Sequence, residues 1–490
     1  MLQRVRRSHA LVAAILLPAA ALGCYGLLLQ VVGLIPFYGG AGFDGAIYID
    51  YLQKIVAGEP VQGDPYRLMR LPGFVPALLA AEFGLPAAGI VAWQRTANML
   101  LLSVGLGLMF DVLRRLGQPA RRAWLVVASL WLAWPYALMP VYNPMLSDHL
   151  ALFCAVLSLW AWARSLRWLQ GLLIVASFWV MPGLFVVPFA LLALPLAGRQ
   201  ADGALGRSRT AFWVVCAGLV LAFSCVWVVA AGVPAVEIDH HPPGTTLGKS
   251  PLRPLTLVLI AGALLVAAVV AARLLSAQAF WRSVRWPWAA AALALALIGG
   301  GSVLLALDWR AGYKGPPLHH YLLLQGLAAP AKPLVAHFVY LGPLCVLAVA
   351  GALCRLHALL DKGLAAVLGV CVGFLPLLVF ASESRQWIYL LPLMAVVAAS
   401  SAPTAVLWLQ LAFSALLLSP ALVLRSATRA GSELGMLSDG WQLYFGRFGP
   451  WMGDGVYAVG GSLLLLFLLG VAWLSLAAPG SSARRYGAPS

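Results

Sequence analysis

The side chains able to do chemistry are few and gathered. Only 10% of the 490 residues are charged. Residues 36–72, PFYGGAGFDGAIYIDYLQKIVAGEPVQGDPYRLMRLP, nevertheless hold the acids Asp44, Asp50, Glu59 and Asp64 beside the bases Lys54, Arg67 and Arg70. Asp44 stands in GGAGFDGAIY, where glycines let the chain turn tightly and approach a ligand. A carboxylate at the mouth of a membrane cavity is partly desolvated, which raises its basicity and suits general-base work. Its plainer role is the N-cap of a helix over 45–57, and the two roles are compatible. Asp50 falls inside that helix, off the Ile47/Tyr51/Ile55 stripe. It reads as solvated or ion-paired, with a substrate contact as the alternative. Arg67 and Arg70, three apart in GDPYRLMRLPGF, share a helix face, and arginine's planar fork suits phosphate. Their plainer partners are lipid headgroups or Asp64.

Further along, Asp148 and His149 in VYNPMLSDHLALF lie where a helix begins. Ser147 and Asp148 are capping types, while an ionisable pair at a membrane helix mouth is a functional candidate. Glu383 and Arg385 in FASESRQWIYLLP crowd a short turn. Arg385 suits a phosphate, and its plainer partner is Glu383. Two other loops carry Glu237, Asp239, His240 and His241, then Lys314, His319 and His320. Adjacent histidines converge poorly on one ion, so no metal ligand is assigned and a divalent cation is left open. Gln94 and Arg95 read as interface residues whose heads reach toward water. There is no Gly-rich phosphate loop, GxSxG elbow or HExxH pair.

These residues need a scaffold, and the composition says which kind. Hydrophobic residues make up 62% of the chain and the mean hydropathy is +0.91. Many runs reach the roughly 20 residues that cross a bilayer as helix. Backbone groups in lipid must be satisfied within each segment, so the expected class is all-α and polytopic. The apolar runs predict about 12–14 transmembrane helices, near 10–35, 87–113, 123–141, 148–164, 167–181, 183–197, 211–233, 254–276, 287–307, 333–354, 363–381, 387–401, 403–424 and 456–477. All belong to one membrane domain, with the first helix uncleaved. The stretches 45–57 and 71–84, in the first outer loop 36–86, read as surface helices. The cysteines fall in apolar segments without zinc or disulfide spacing. The net charge of +16 reflects arginines crowding the loops of one side, as cytoplasmic loops do. That places the N-terminus in the cytoplasm and calls for no nucleic acid. It also leaves most acids on the outer side, in loops that include the last one, 425–455.

An acid in the first outer loop, surface helices in that loop, a second Asp at the next outer mouth and an arginine-bearing turn before a YLLP helix together resemble the GT-C glycosyltransferases. The likeness covers roughly the first 200 residues and the 380–395 region. It implies an inner-membrane, multi-pass enzyme working on the periplasmic side. Its partners would be a polyprenyl-phosphate sugar donor, a glycan, lipid or protein acceptor, and membrane lipids. The matching positions imply Asp44 as the base or an acceptor-binding residue, bring Asp148 to the site, put Arg67 and Arg70 near the donor or the membrane, and put Arg385 on donor phosphate. Many members have two adjacent acids in the first loop; here Gly45 follows Asp44, and no WWDYG motif is present. Alternatives are a lipid-linked glycan polymerase or ligase, and a flippase without chemistry.

Overall fold

Apolar runs punctuated by Gly, Pro and paired arginines make helices, and among the described residues every regular element is helical. The computed structural model describes residues 12–34, 40–41, 44–196, 252–309, 322, 325–423, 449 and 452–477. The helices begin with α1 (Leu17–Val32), α2 (Gly45–Val56), α3 (Val75–Glu82), α4 (Ala87–Arg115), α5 (Ala120–Trp131), α6 (Asp148–Ala163), α7 (Arg167–Ser177) and α8 (Val186–Ala193). They continue with α9 (Arg253–Leu275), α10 (Trp286–Ala306), α11 (Lys332–Leu341), α12 (Leu344–Asp361), α13 (Ala365–Phe380), α14 (Leu391–Ser401), α15 (Thr404–Val423) and α16 (Asp454–Ala477). The expected helix 211–233 lies outside the described residues. So do Glu237, Asp239, His240, His241, Lys314, His319, His320 and most of the loop 425–455.

Six stretches among the described residues are long and apolar enough to cross a bilayer: 14–31, α4, 254–275, α10, α12 and 455–476. The chain is a multi-pass helical membrane protein. Several expected spans are broken, each for a local reason. The stretch 123–141 stops as α5 at Trp131 and resumes only as single turns holding Pro135 and Pro140. Proline lacks the N–H that would continue the ladder. The stretch 333–354 breaks at Gly342 (φ 80°), which Pro343 follows. The stretch 387–401 starts as a 3-10 turn, Ser384–Leu390, kinked at Trp387, and turns α-helical only at α14.

α14 is the axis of the molecule. Every one of its residues is buried. It is apolar all round, as a helix enclosed by protein must be. α12, α6 and α5 pack around it. The turn carrying Glu383 and Arg385 leads straight into it.

The first loop has its own small core of Ala41, Tyr48, Tyr51, Leu52, Phe74, Ala77, Ala80 and Ala81, closed by Ile90, Val91 and Met145. The buried face of α2 is therefore Gly45, Tyr48, Tyr51 and Leu52. Of the expected Ile47/Tyr51/Ile55 stripe, Tyr51 is buried and Ile47 packs against this core, while Ile55 is 38% exposed. α3 packs on α4 through Ala77, Ala80 and Ala81, and turns Val75, Leu79 and Phe83 outward.

Gln94 and Arg95 do not reach toward water. Both are buried. Gln94 accepts from Ala77 N at 3.2 Å and donates to Gly73 O at 3.2 Å and to Asn98 Oδ1 at 3.1 Å. Arg95 Nε donates to Val141 O at 3.1 Å, and Asn98 Nδ2 to Pro144 O at 2.7 Å. α4 thus fastens both the surface segment and the 141–147 segment. Buried polar groups need such partners, because leaving one unmade costs about 1–3 kcal/mol.

Candidate functional site

Asp44 occupies the N-cap position of α2 but does not cap it. Its backbone is already helical (φ −73°, ψ −18°) and its side chain accepts no capping bond. The carboxylate instead meets arginines from two distant parts of the chain. Arg385 Nη2 donates to Asp44 Oδ2 at 2.9 Å, across 341 positions of sequence. Arg67 Nη2 lies 3.7 Å from Oδ1. Arg385 also donates through Nε to Glu383 Oε1 at 3.0 Å, so one guanidinium bridges two carboxylates. Arg70 Nη2 donates to Gln386 Oε1 at 3.3 Å, and Gln386 Nε2 to Glu383 Oε1 at 3.4 Å.

Close packing makes this geometry possible. A Cβ at Gly45 would fall 2.8 Å from Met145 Cβ and 2.9 Å from Ala41 Cβ, so no side chain fits after Asp44. That gives a local reason for the glycine after Asp44. Gly73 approaches Ser147 in the same way, with 3.3 Å from a built Cβ to Ser147 Cβ.

The electrostatics reverse one expectation. Burial alone would raise the Asp44 carboxyl, but Arg385, Arg67 and Arg70 outweigh it and hold it below its ordinary value. Asp44 is thus a weaker base while paired, not a stronger one. Burial would lower the Arg385 guanidinium; Asp44, Glu383 and Asp148 more than offset it, and Arg385 stays charged. Tyr48 is drawn into the same field. Burial pushes its phenol up, with Arg70, Asp44, Arg385 and Asp148 all within electrostatic reach.

Asp148 is buried at the start of α6, which packs against the Ser384–Leu390 turn. Neither it nor Ser147 acts as a side-chain cap. Its Oδ1 and the Ser147 Oγ are buried without a hydrogen-bond partner in the described structure. His149 is not brought to the cluster. Its Nδ1–H donates to Leu146 O at 2.9 Å, since a carbonyl can only accept. Successive helical residues point about 100° apart, and among the described residues no hydrogen bond joins His149 to Asp148. Asp50 is also elsewhere, 53% exposed and bound to Lys54 at 2.7 Å. Asp64 caps the turn Pro65–Leu68 by accepting from Tyr66 N at 2.9 Å, leaving Arg67 to Asp44.

The turn bearing Arg385 is held by residues that gave no signal in the sequence. Gln325 Oε1 accepts from Glu383 N at 3.1 Å and from Ser382 Oγ at 3.3 Å. His337 bridges Leu378 O (Nε2, 3.0 Å) and Ser384 Oγ (Nδ1, 2.9 Å). The Leu378 carbonyl requires the proton on Nε2, so the Ser384 hydroxyl donates to Nδ1. Gly449 (φ 95°) packs on this turn so closely that a Cβ would lie 2.7 Å from Ser382 O. Among the described residues no three His, Cys, Asp or Glu side chains gather as a metal site.

The fold and this cluster define a multi-pass helical membrane protein with a charge-balanced site of Asp44, Asp148 and Glu383 against Arg67, Arg70 and Arg385. Comparison of the chain with protein-family models, with curated proteins and with solved structures finds no match in any of the three.

Proposed function

We propose that the protein is a membrane glycosyltransferase of GT-C type that moves a sugar from a polyprenyl-phosphate donor to an acceptor hydroxyl. One observation carries this reading: a first-loop carboxylate and a late-turn arginine, far apart in sequence, form one ion pair at 2.9 Å. Arginines that can exchange a carboxylate for a phosphate and a carboxylate that can take a proton are the two groups the reaction needs.

The donor phosphate draws Arg385, Arg67 and Arg70 away from Asp44. With those charges engaged elsewhere, burial raises the affinity of Asp44 for a proton. The acceptor O–H gives its proton to Asp44 as its oxygen attacks the anomeric carbon. The bond from that carbon to the phosphate oxygen breaks, and lipid phosphate leaves with the electron pair, held by arginine. Direct displacement inverts the anomeric centre. The buried, unpartnered Oδ1 of Asp148 supports a role for it as an acceptor once the site opens to substrate. By the orientation of the arginine-rich loops, the site faces the periplasm across an inner membrane.

The full pairing of Asp44 favours a second reading, in which the site binds a lipid-linked glycan and moves it without chemistry. Transfer from radiolabelled polyprenyl-phosphate sugars by purified protein in lipid separates the two. Wild type should turn over, and Asp44→Asn should lose on the order of 10²–10⁴-fold, the usual contribution of a general base. Retained turnover in the variant removes Asp44 as the base. Movement of a lipid-linked glycan with no transfer from any donor selects the second reading.

A further inference from the structure

At the end of the molecule opposite Asp44, Arg115 and Arg164 pair with Asp111 at 2.8 and 2.9 Å, while Arg122, Arg355 and Lys362 make no ion pair with an acid among the described residues. α4 runs 29 residues, about 43 Å at the helical rise, from the Gln94 end to Arg114 and Arg115. Near that far end α5 begins and α12 and α14 finish. Arg122 Nη2 donates to the carbonyls of Ala399 and Ala402, both at 2.6 Å. Lys362 Nζ donates to Ser400 O at 2.7 Å. These bonds close the C-terminus of α14, whose last carbonyls have no helical partner.

Capping accounts for two cations but not for the third. Inside α12 the backbone leaves helical geometry at Arg355 (φ −129°, ψ 24°). One turn before it, a Cβ at Gly351 would lie 3.0 Å from Ser401 Cβ, so this part of α12 packs directly against the end of α14. Burial, then Arg355, lowers the Arg122 guanidinium; burial, then Arg122 and Arg355, lowers the Lys362 ammonium. Arg122 Nε is buried with no hydrogen-bond partner in the described structure. Asp361, exposed beside Lys362, makes no ion pair among the described residues. A general excess of cations on one side of a membrane explains how many arginines there are. It does not explain three cations converging on one helix end.

We propose that Arg122, Arg355 and Lys362, around the C-terminus of α14, bind the phosphate headgroup of an anionic phospholipid. Like charges held together are relieved by an anion, and basic pockets between membrane helices take anionic headgroups. The depth fits. Arg121 lies over the half-exposed ring of Trp408 at 5.7 Å, and tryptophan marks the level of lipid headgroups. Free phosphate shares the chemistry but is not confined to that level.

The test is native mass spectrometry of the full chain released from neutral detergent. Phosphatidylglycerol and phosphatidylcholine are titrated separately onto wild type and onto Arg355→Gln/Lys362→Gln. Arg122 is kept, so that part of the α14 cap remains. Each lost cation should weaken phosphatidylglycerol about five-fold, and both together about 25-fold. Phosphatidylcholine should bind weakly to both proteins. Thermal unfolding without added lipid checks the variant's fold. If the pair is destabilised, Arg355→Gln alone, whose side chain caps no helix, should show the about five-fold loss. A change under about two-fold, or phosphatidylcholine held as tightly as phosphatidylglycerol, overturns the proposal. So does displacement of the lipid by inorganic phosphate alone.

Discussion

Arg385 holds two carboxylates on one guanidinium, and its loss should be felt by both. Arg385→Gln leaves the sheltered charges of Asp44 and Glu383 without that partner and should cost on the order of 2–3 kcal/mol, read as a lowered unfolding midpoint in detergent. At 18% exposure for Asp44 and 26% for Arg385, the pair is sheltered enough for that figure to survive solvent screening. The pH dependence follows from the direction of the Asp44 shift. Its carboxyl is held below its ordinary value in the folded protein. Its stabilising contribution is therefore complete above the ordinary aspartate pKa of about 3.9 and is lost as pH falls through the lower folded value. Acidification from neutral pH to about pH 3 should lower the wild-type midpoint more than that of Asp44→Asn. Equal sensitivity would mean that the pair does not stabilise the fold. These residues were legible in the sequence because charges stand out in a chain that is 62% hydrophobic. Tyr48, Gln325, His337 and Gln386 were not legible. Each is an ordinary residue until its neighbours are known.

At the scale of elements, the site is a meeting of α2, the 141–147 segment and the 382–390 turn, and close contacts decide whether they meet. Gly45→Ala should push α2 off Met145, costing about 1–3 kcal/mol by overpacking and loosening the Asp44–Arg385 pair. Unfolding midpoints, together with any residual transfer, would measure both effects; an unchanged midpoint would show that Met145 gives way freely. Periodicity located α2 and two of its core contacts, Ile47 and Tyr51, but missed Gly45, Tyr48 and Leu52 and wrongly included Ile55. The stripe through Ile47 and Ile55 is apolar by type. The face through Gly45, Tyr48 and Leu52 is the one that finds Phe74, Ala77 and Met145. Hydropathy also could not see the breaks at Trp131 and Gly342. A window of apolar residues scores the same whether or not a proline interrupts its hydrogen bonds.

At the scale of the molecule, α4 sets the two ends apart, so Glu59 and Pro119 should lie on opposite sides of the bilayer. In a background with all seven native cysteines replaced by serine, a membrane-impermeant maleimide applied to intact cells should label only one of Glu59→Cys and Pro119→Cys. Labelling of both would break the span assignment. The arginine distribution predicts that the labelled position is 59.

The sequence by itself determined the class of protein, because the burial of so much apolar surface and the satisfaction of backbone groups in lipid leave few alternatives to helices. It also determined which charges were worth following, since each must be solvated, paired or used. Only the tertiary structure decided that Asp44 and Arg385 are partners, that His149 and Asp50 are not part of the cluster, and that Asp44 is acidic rather than basic while paired. Those are facts of proximity. A carboxylate's protonation depends on what stands within a few ångströms of it, and here that neighbour comes from the other end of the chain.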